Sequence, residues 1–350
     1  MSKYYFFKFP KKEKDENETQ YEYWIFESNV VRHQALVVYF GESEISDIRG
    51  WAQRENEDPS KRSENIKELD RKKKGGRNLD DLLTFYEACN DPQESRFLVS
   101  NVRDQHRTLL LFKPTGELKD LENGQLQEYH KKFPQHSGDK PKYVCVEQVG
   151  EPIDRLDPKT PAIIATLDSD QALNRGTCNE LRSEQAESLE VSLGLMDLST
   201  EIEKKPSRLL KYLSPVQFET LVFLNFHERN FHCQAHRGST VARFDFRVER
   251  TAQSLDDFLS FDGKQMIAVQ VKRKPMDQTS GTLTADLVIS LEDDDSPSKH
   301  PRVRGATWLL QKTTEERRCF EWLKKELAWT GLGEEGWGRI KARYRRELDP

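Results

Sequence analysis

Hydrophobic positions in the first half of the chain alternate with polar ones over short runs, the two-residue period of half-buried strands. Lys142–Val149 carries this pattern most cleanly; Tyr4–Phe9, Tyr21–Glu27, Ala35–Phe40, Arg96–Asn101 and Thr108–Phe112, short runs rich in aromatic and branched residues, also read as strands, and the apolar run Pro161–Leu167 predicts a further one. Leu79–Cys89 is the exception, with leucines and a phenylalanine at helical spacing. Between these elements lie a charged, glycine-poor loop at Lys11–Gln20 and a tract at Arg54–Asn78 dominated by charged residues. That tract reads as an exposed loop or charged helix, with a phosphate-contacting arm as the sharper alternative. Residues 1–182 therefore predict a β-rich recognition or sensor domain.

The pattern changes after residue 182. Residues 183–212 are rich in Glu, Ser and Leu and predict a linker, helical around Glu184–Leu198. Ser214 then opens a well-punctuated helix: a serine at the N-cap, Pro215 at the first helical position, and Gln217 placed as in a capping box. Phe218, Leu221, Val222, Phe223 and Phe226 form its apolar stripe. Glu219 lies beside that stripe, near the end of the helix where the dipole favours a carboxylate. Strands are predicted at Phe231–Ala235, Ala242–Val248, from Met266 into Gln270–Lys272, Leu283–Leu291 and Ala306–Gln311. Glu315–Leu327 predicts an amphipathic helix. An Asp-Gly turn signal within Asp257–Lys264 would fold the Asp245 and Gln270 strands into a hairpin. Residues 213–330 thus predict an α/β domain, a mixed sheet flanked by helices, and residues 331–350 a basic tail that docks through Trp337.

Composition bounds this picture. A chain of 350 residues accommodates two domains. It is 35% hydrophobic and 33% charged, with a mean hydropathy of -0.84, which predicts modest cores under a very polar surface. No apolar run approaches the roughly 20 residues of a membrane helix. The five cysteines are scattered and lack a CxxC, which predicts reduced thiols in a cytoplasmic setting. A net charge of -5 neither supports nor excludes nucleic acid as a partner, because Arg71–Arg77, Lys272–Lys274 and Lys341–Arg346 are basic while Glu292–Asp295 is acidic. The absence of a Walker-type phosphate loop, GxSxG or HExxH removes the commonest nucleotide-binding, hydrolase-triad and zincin readings.

Candidate chemistry gathers between residues 213 and 274. In Ile267–Lys274, period-two alternation sets Gln270 and Lys272 on one strand face and Val269 and Val271 on the other. A polar pair on an otherwise apolar strand is costly without a task or a partner. Asp245 sits inside the upstream strand, and a hairpin would bring Asp245, Gln270 and Lys272 to one end of one sheet. The plainer alternatives are an ion pair of Asp245 with Arg243 or Arg247, and a basic edge at Lys272–Lys274 that resists aggregation. His227, His232, Cys233 and His236 are zinc-competent types, but their spacing fits no standard finger.

Leu213–Glu219 (LSPVQFE) resembles the SPxxFE helix that opens Mrr-type restriction endonuclease domains. Asp245 in Asp-Phe-Arg-Val resembles that family's metal-binding Asp, and Gln270-Val271-Lys272 its QxK variant of the PD-(D/E)xK nuclease motif. The approach to Asp245 carries one glycine, Gly238, where the family is usually Gly-rich. The resemblance covers residues 213–274 and no other part of the chain. It implies a restriction-endonuclease-like fold and Mg²⁺- or Mn²⁺-dependent hydrolysis of phosphodiester bonds in double-stranded DNA. In that scheme Asp245 is the main metal ligand, Gln270 lends a carbonyl oxygen, and the backbone carbonyl of Val271 is a further ligand. Lys272 orients or deprotonates the attacking water, or stabilises developing negative charge. Gln in place of a carboxylate removes one negative charge, which Glu219 would restore. Such domains serve restriction of foreign or modified DNA, and double-strand cutting with two sites implies a homodimer or higher homo-oligomer.

The N-terminal half is loosely similar to PUA-like barrels, which include readers of modified bases. Its aromatics Tyr4–Phe7, Phe9, Tyr21, Tyr23 and Trp24 read first as core and cross-strand pairs, and second as a base-stacking platform. Two other functions fit the same sequence: a nuclease gated by a small ligand bound to the first domain, and a non-catalytic nucleic-acid-binding protein.

Overall fold

The first aromatic run of the chain, Tyr4 to Phe7, is buried on both faces, which places its strand inside a sheet and away from any edge. A computed structural model describes residues 2–8, 26–38, 76–121, 127, 131, 141–169, 177–235, 244–254, 264–273, 285–291 and 303–346. The predicted loop at Lys11–Gln20, nearly all of the charged tract and the Asp-Gly turn lie outside the described residues. The chain divides into two units: residues 1–157 with 166–186, and residues 158–165 with 187–350.

The first unit holds strands β1 (Lys3–Phe7), β2 (Ala35–Val38), β3 (Ser95–Ser100), β4 (Thr108–Pro114), β5 (Lys119–Asp120), β6 (Lys142–Gln148), β7 (Ile153–Asp154) and β8 (Cys178–Glu180). They form one mixed sheet in the order β2-β6-β4-β3-β1-β8, with β5 on β6 and β7 on β4. Tyr5, Phe7, Phe97, Val99, Leu110 and Phe112 alternate toward a core shared with Leu82, Leu83, Phe85 and Ala88 of the helix Gly76–Asn90. Tyr4–Phe7 are at most 4% exposed, so these aromatics are core and not an open platform for a base. Among the described residues no ladder joins the edge strands β2 and β8. Pro161–Leu167 departs from expectation: Ala162–Ala165 is a helical turn, followed by a 3-10 turn at Leu167–Ser169. Ile163, Ile164 and Leu167 are buried there, and a short apolar run suits a buried helical turn as well as a strand. Phe26–Val31, at the end of another predicted strand, is a turn of π-helix.

The second unit is α/β. Its sheet contains β9 (His232–Ala235), β10 (Phe246–Glu249), β11 (Met266–Lys272), β12 (Leu287–Ser290) and β13 (Val303–Arg304) in the order β13-β12-β11-β10-β9. The β9–β10 and β10–β11 pairs are antiparallel, and β11–β12 and β12–β13 are parallel. Phe246, Val248, Ile267, Val269, Leu287 and Ile289 form one apolar cluster with the helices Pro215–His227, Ala306–Glu315, Arg317–Glu326 and Glu334–Arg346. Among the described residues no helix is long and apolar enough to cross a membrane.

Three expectations change here. The 183–212 segment is not a linker. Its helices Ser183–Ser192 and Ser199–Lys204 lead into a 3-10 stretch, Pro206–Tyr212, and Leu198, Ile202, Leu209, Leu210 and Tyr212 are buried in the second unit's core. A polar average composition hid those apolar positions. The predicted strand Ala306–Gln311 is the first part of a helix, whose buried face is Ala306, Leu309, Leu310 and Thr313, a three-to-four-residue period. The predicted tail is the helix Glu334–Arg346, which buries Trp337, Ile340 and Tyr344 and leaves Arg339 and Arg343 exposed. Lys341 lies over the Phe320 ring at 5.3 Å, and Arg339 pairs with Glu203. At the start of this helix Gly336 lies against Leu332, four residues earlier: a Cβ there would stand 2.6 Å from Leu332 Cδ1. Trp337→Ala is therefore expected to destabilise the second unit by about 3–5 kcal/mol in denaturant unfolding, whereas a loss under about 0.5 kcal/mol, as for a surface position, would show that this helix is dispensable.

Candidate functional site

The helix Pro215–His227 is fixed at its start by a complete capping box. Ser214 Oγ accepts the Gln217 N–H at 3.2 Å, and Gln217 Oε1 accepts the Ser214 N–H at 2.9 Å. Its stripe of Phe218, Leu221, Val222 and Phe226 packs in the cluster that contains Phe246, Val248, Ile267 and Val269. The Phe223 ring lies 6.2 Å from that of Phe246, the residue after Asp245. Glu219 is half-buried and stands about 6 Å, one turn, before Phe223 along the helix.

At the start of β10 the ladder is irregular. Phe246 is in register with Val269, yet the Asp245 N–H also donates to the Val269 carbonyl at 2.8 Å. Two consecutive residues thus face one partner, the pattern of a β-bulge, which re-aims a side chain. The Asp245 carboxylate consequently turns onto β11, and its Oδ2 accepts the Val271 backbone N–H at 2.6 Å. Val271 is the residue between Gln270 and Lys272, so the carboxylate lies within one residue of both.

Alternation along β11 sends Ile267 and Val269 into the core, and turns half-buried Gln270 and exposed Lys272 to the opposite face. The Lys272 carbonyl accepts from Leu291 N–H on the β12 side at 3.2 Å, which directs the Val271 carbonyl to the β10 side, where Asp245 is. Beyond Lys272, Arg273 Nη2 donates to the Lys211 carbonyl at 2.7 Å, three residues before the N-cap Ser214. The end of β11 is therefore tied on one side to the Asp245 bulge and on the other to the entrance of the helix that carries Glu219.

The ion pair of Asp245 with Arg247 does not form. Arg247 is exposed, and its guanidinium lies over the Phe244 ring at 5.4 Å; Arg243 lies outside the described residues. Among the described residues no group of three or more His, Cys, Asp or Glu side chains gathers to hold a metal. The oxygens at the end of β11 are one carboxylate, an amide carbonyl and a backbone carbonyl. Hard oxygens of this kind suit Mg²⁺, which keeps several waters and takes only one or two protein carboxylates. Of the zinc-competent types, His227 and His232 are exposed and belong to no such group, and burial pushes the Cys233 thiol up to about 12. His236 lies outside the described residues.

Sequence reasoning placed Asp245, Gln270 and Lys272 at one sheet end, and the structure brings these three together. It overlooked the tie from Arg273 to Lys211, whose one sequence signal is a basic residue directly after Lys272. No family model, no curated protein and no solved structure matches this chain.

The bulge bond has a measurable consequence. Asp245→Ala removes the acceptor of the Val271 N–H and is expected to destabilise the second unit by about 1–3 kcal/mol. Asp245→Asn keeps an acceptor oxygen and is expected to lose clearly less. Equal losses in urea unfolding would show that this hydrogen bond is not what ties β10 to the end of β11.

Proposed function

We propose that the second unit is a metal-dependent endonuclease domain that cleaves phosphodiester bonds of double-stranded DNA, and that the first unit recognises the DNA, modified bases included. The observation that supports this reading most directly is the hydrogen bond from the Val271 N–H to Asp245 Oδ2. It gathers a carboxylate, an amide and an exposed ammonium at one strand end, in the order of the QxK motif.

Asp245, the Gln270 amide oxygen, the Val271 carbonyl and Glu219 would hold Mg²⁺, with Mn²⁺ as a substitute. Such a cation, when bound, supplies Lewis-acid polarisation of a phosphoryl oxygen and lowers the pKa of a coordinated water. The Lys272 ammonium, exposed beside that set, would meet the charge that develops on the phosphoryl oxygens or orient the attacking water. Behind it, buried Val269 and half-buried Val271 pack against the core and anchor the strand that carries the ammonium. Cutting both strands calls for two copies of this site, and hence a homodimer or higher homo-oligomer. Restriction of foreign DNA is the role that such an activity serves.

A second reading, activation by a small ligand, is supported by a cleft of about 430 Å³ in the first unit, lined by residues that include Cys89, Lys113, Thr115 and Glu147.

The test is cleavage of unmodified, 5-methylcytosine-containing and hydroxymethylated plasmid with Mg²⁺ or Mn²⁺. Lys272→Ala is expected to slow cutting by about 10²-fold or more, the loss typical of removing one group that stabilises transition-state charge. Asp245→Ala is expected to abolish it. Cutting that survives both substitutions in folded protein would refute the assignment, and wild type that cuts no substrate until a signalling nucleotide is added would favour the ligand-gated reading.

A further inference from the structure

The sheet face that carries Gln270 and Lys272 holds a second cation. Phe246 and Val248 are buried, so Arg247 between them projects to the opposite face, where it is exposed. Its cross-strand neighbour is Ala268, a small residue on the same face as Gln270 and Lys272. Arg247 and Gln270 are thus diagonal neighbours across the β10–β11 pair, roughly 7–8 Å apart and closer still at their Cβ atoms. The start of β10 lies opposite the end of β11, and Phe244, just before that start, has the Arg247 guanidinium over its ring at 5.4 Å. The aromatic ring therefore draws the guanidinium along β10 toward Asp245 and the Gln270–Lys272 end. A cation over an aromatic face is fixed in direction yet keeps its N–H donors for another partner.

We infer that Arg247 is a phosphate-binding residue, and that a nucleic-acid backbone crosses this face with one phosphate on Arg247 and its neighbour at the Gln270–Lys272 end. The inference rests on the second unit acting on DNA and names how that site grips its substrate. A guanidinium suits the task because its planar donors bind phosphate oxygens in pairs. It is not spent on Asp245, so it adds positive charge beside the carboxylate without cancelling it. Gln234, across β10 from Arg247, keeps the same face polar and exposed.

The experiment is binding of a fluorescein-labelled DNA duplex to the full chain, in EDTA so that no cutting occurs, read by anisotropy over a series of salt concentrations. Arg247→Ala is expected to weaken binding and to reduce the slope of log K against log salt by about 0.9, the release of counterions from one phosphate. Arg247→Lys should restore the slope, because the charge returns. Arg318→Ala, an exposed arginine on the Arg317–Glu326 helix paired with Glu228, should leave the slope unchanged. An unchanged slope in folded Arg247→Ala, a slope change no larger than that of Arg318→Ala, or no binding by wild type at low salt would each overturn the inference. Plasmid cleavage run in parallel separates the two claims. Wild type that binds with an Arg247-dependent slope but cuts nothing sinks the nuclease proposal alone, and wild type that cuts while the slope ignores Arg247 sinks this one alone.

Discussion

The second unit is organised at the Asp245–Lys272 end of its sheet by one short hydrogen bond, from the Val271 N–H to the Asp245 carboxylate. In a regular ladder that N–H would go to a backbone carbonyl of β10. The bulge at Asp245 supplies a carboxylate oxygen instead, so the place where pairing stops is also the place where a charge is presented. A carboxylate that accepts a strand N–H is oriented by the backbone and is not neutralised by that bond. Lys272 and Gln270 then inherit their positions from the strand, since both are fixed relative to Val271 by covalent geometry alone.

That arrangement depends on a core that does not give. The helix Pro215–His227 is pinned at its N-terminus by the Ser214–Gln217 box, and near its C-terminus Asn225 Nδ2 reaches Thr313 at 3.0 Å. Arg229, 2% exposed, follows with bonds to the Asn225 carbonyl, the Lys312 carbonyl and Glu315. Buried polar groups of this kind are tolerable because each is partnered, and breaking such a pair costs about 3–5 kcal/mol. They set the helix against Ala306–Glu315 in one register. The Arg273 bond to Lys211 transmits that fixed position to the end of β11. Two of the three fragments that resemble an Mrr-type domain, Leu213–Glu219 and Gln270–Lys272, are thus tied by this bond, which lies next to each.

The first unit follows a different logic. Its interior strand β1 is buried on both faces, so the aromatics Tyr4–Phe7 are consumed by packing: the rings of Phe7, Phe85 and Phe97 lie within 5.4–6.4 Å of one another. The polar side of this unit's surface includes a cleft beside Lys113 and Glu147. Lys142, a charged residue with 0% exposure in β6, shows how closely its interior is filled.

Local chemistry made much of this protein legible from sequence. The capping signals of Ser214, Pro215 and Gln217 located a helix start because they act within four residues. The alternation at Val269–Lys272 assigned faces because a strand has a period of two regardless of its surroundings. Short apolar stretches were not decidable in that way: Pro161–Leu167 and Ala306–Gln311 became helical, and 183–212 and 334–346 became core, since burial depends on what a segment meets and not on its own composition. Likewise, the sequence alone marked Asp245 and Lys272 as candidates. Only the tertiary structure decided that a bulge would turn Asp245 onto Val271, that Arg247 would lean on Phe244 and not pair with Asp245, and that Arg273 would bond Lys211. Those are contacts between strand ends, loops and helix entrances, whose geometry is set by the packing of the whole sheet.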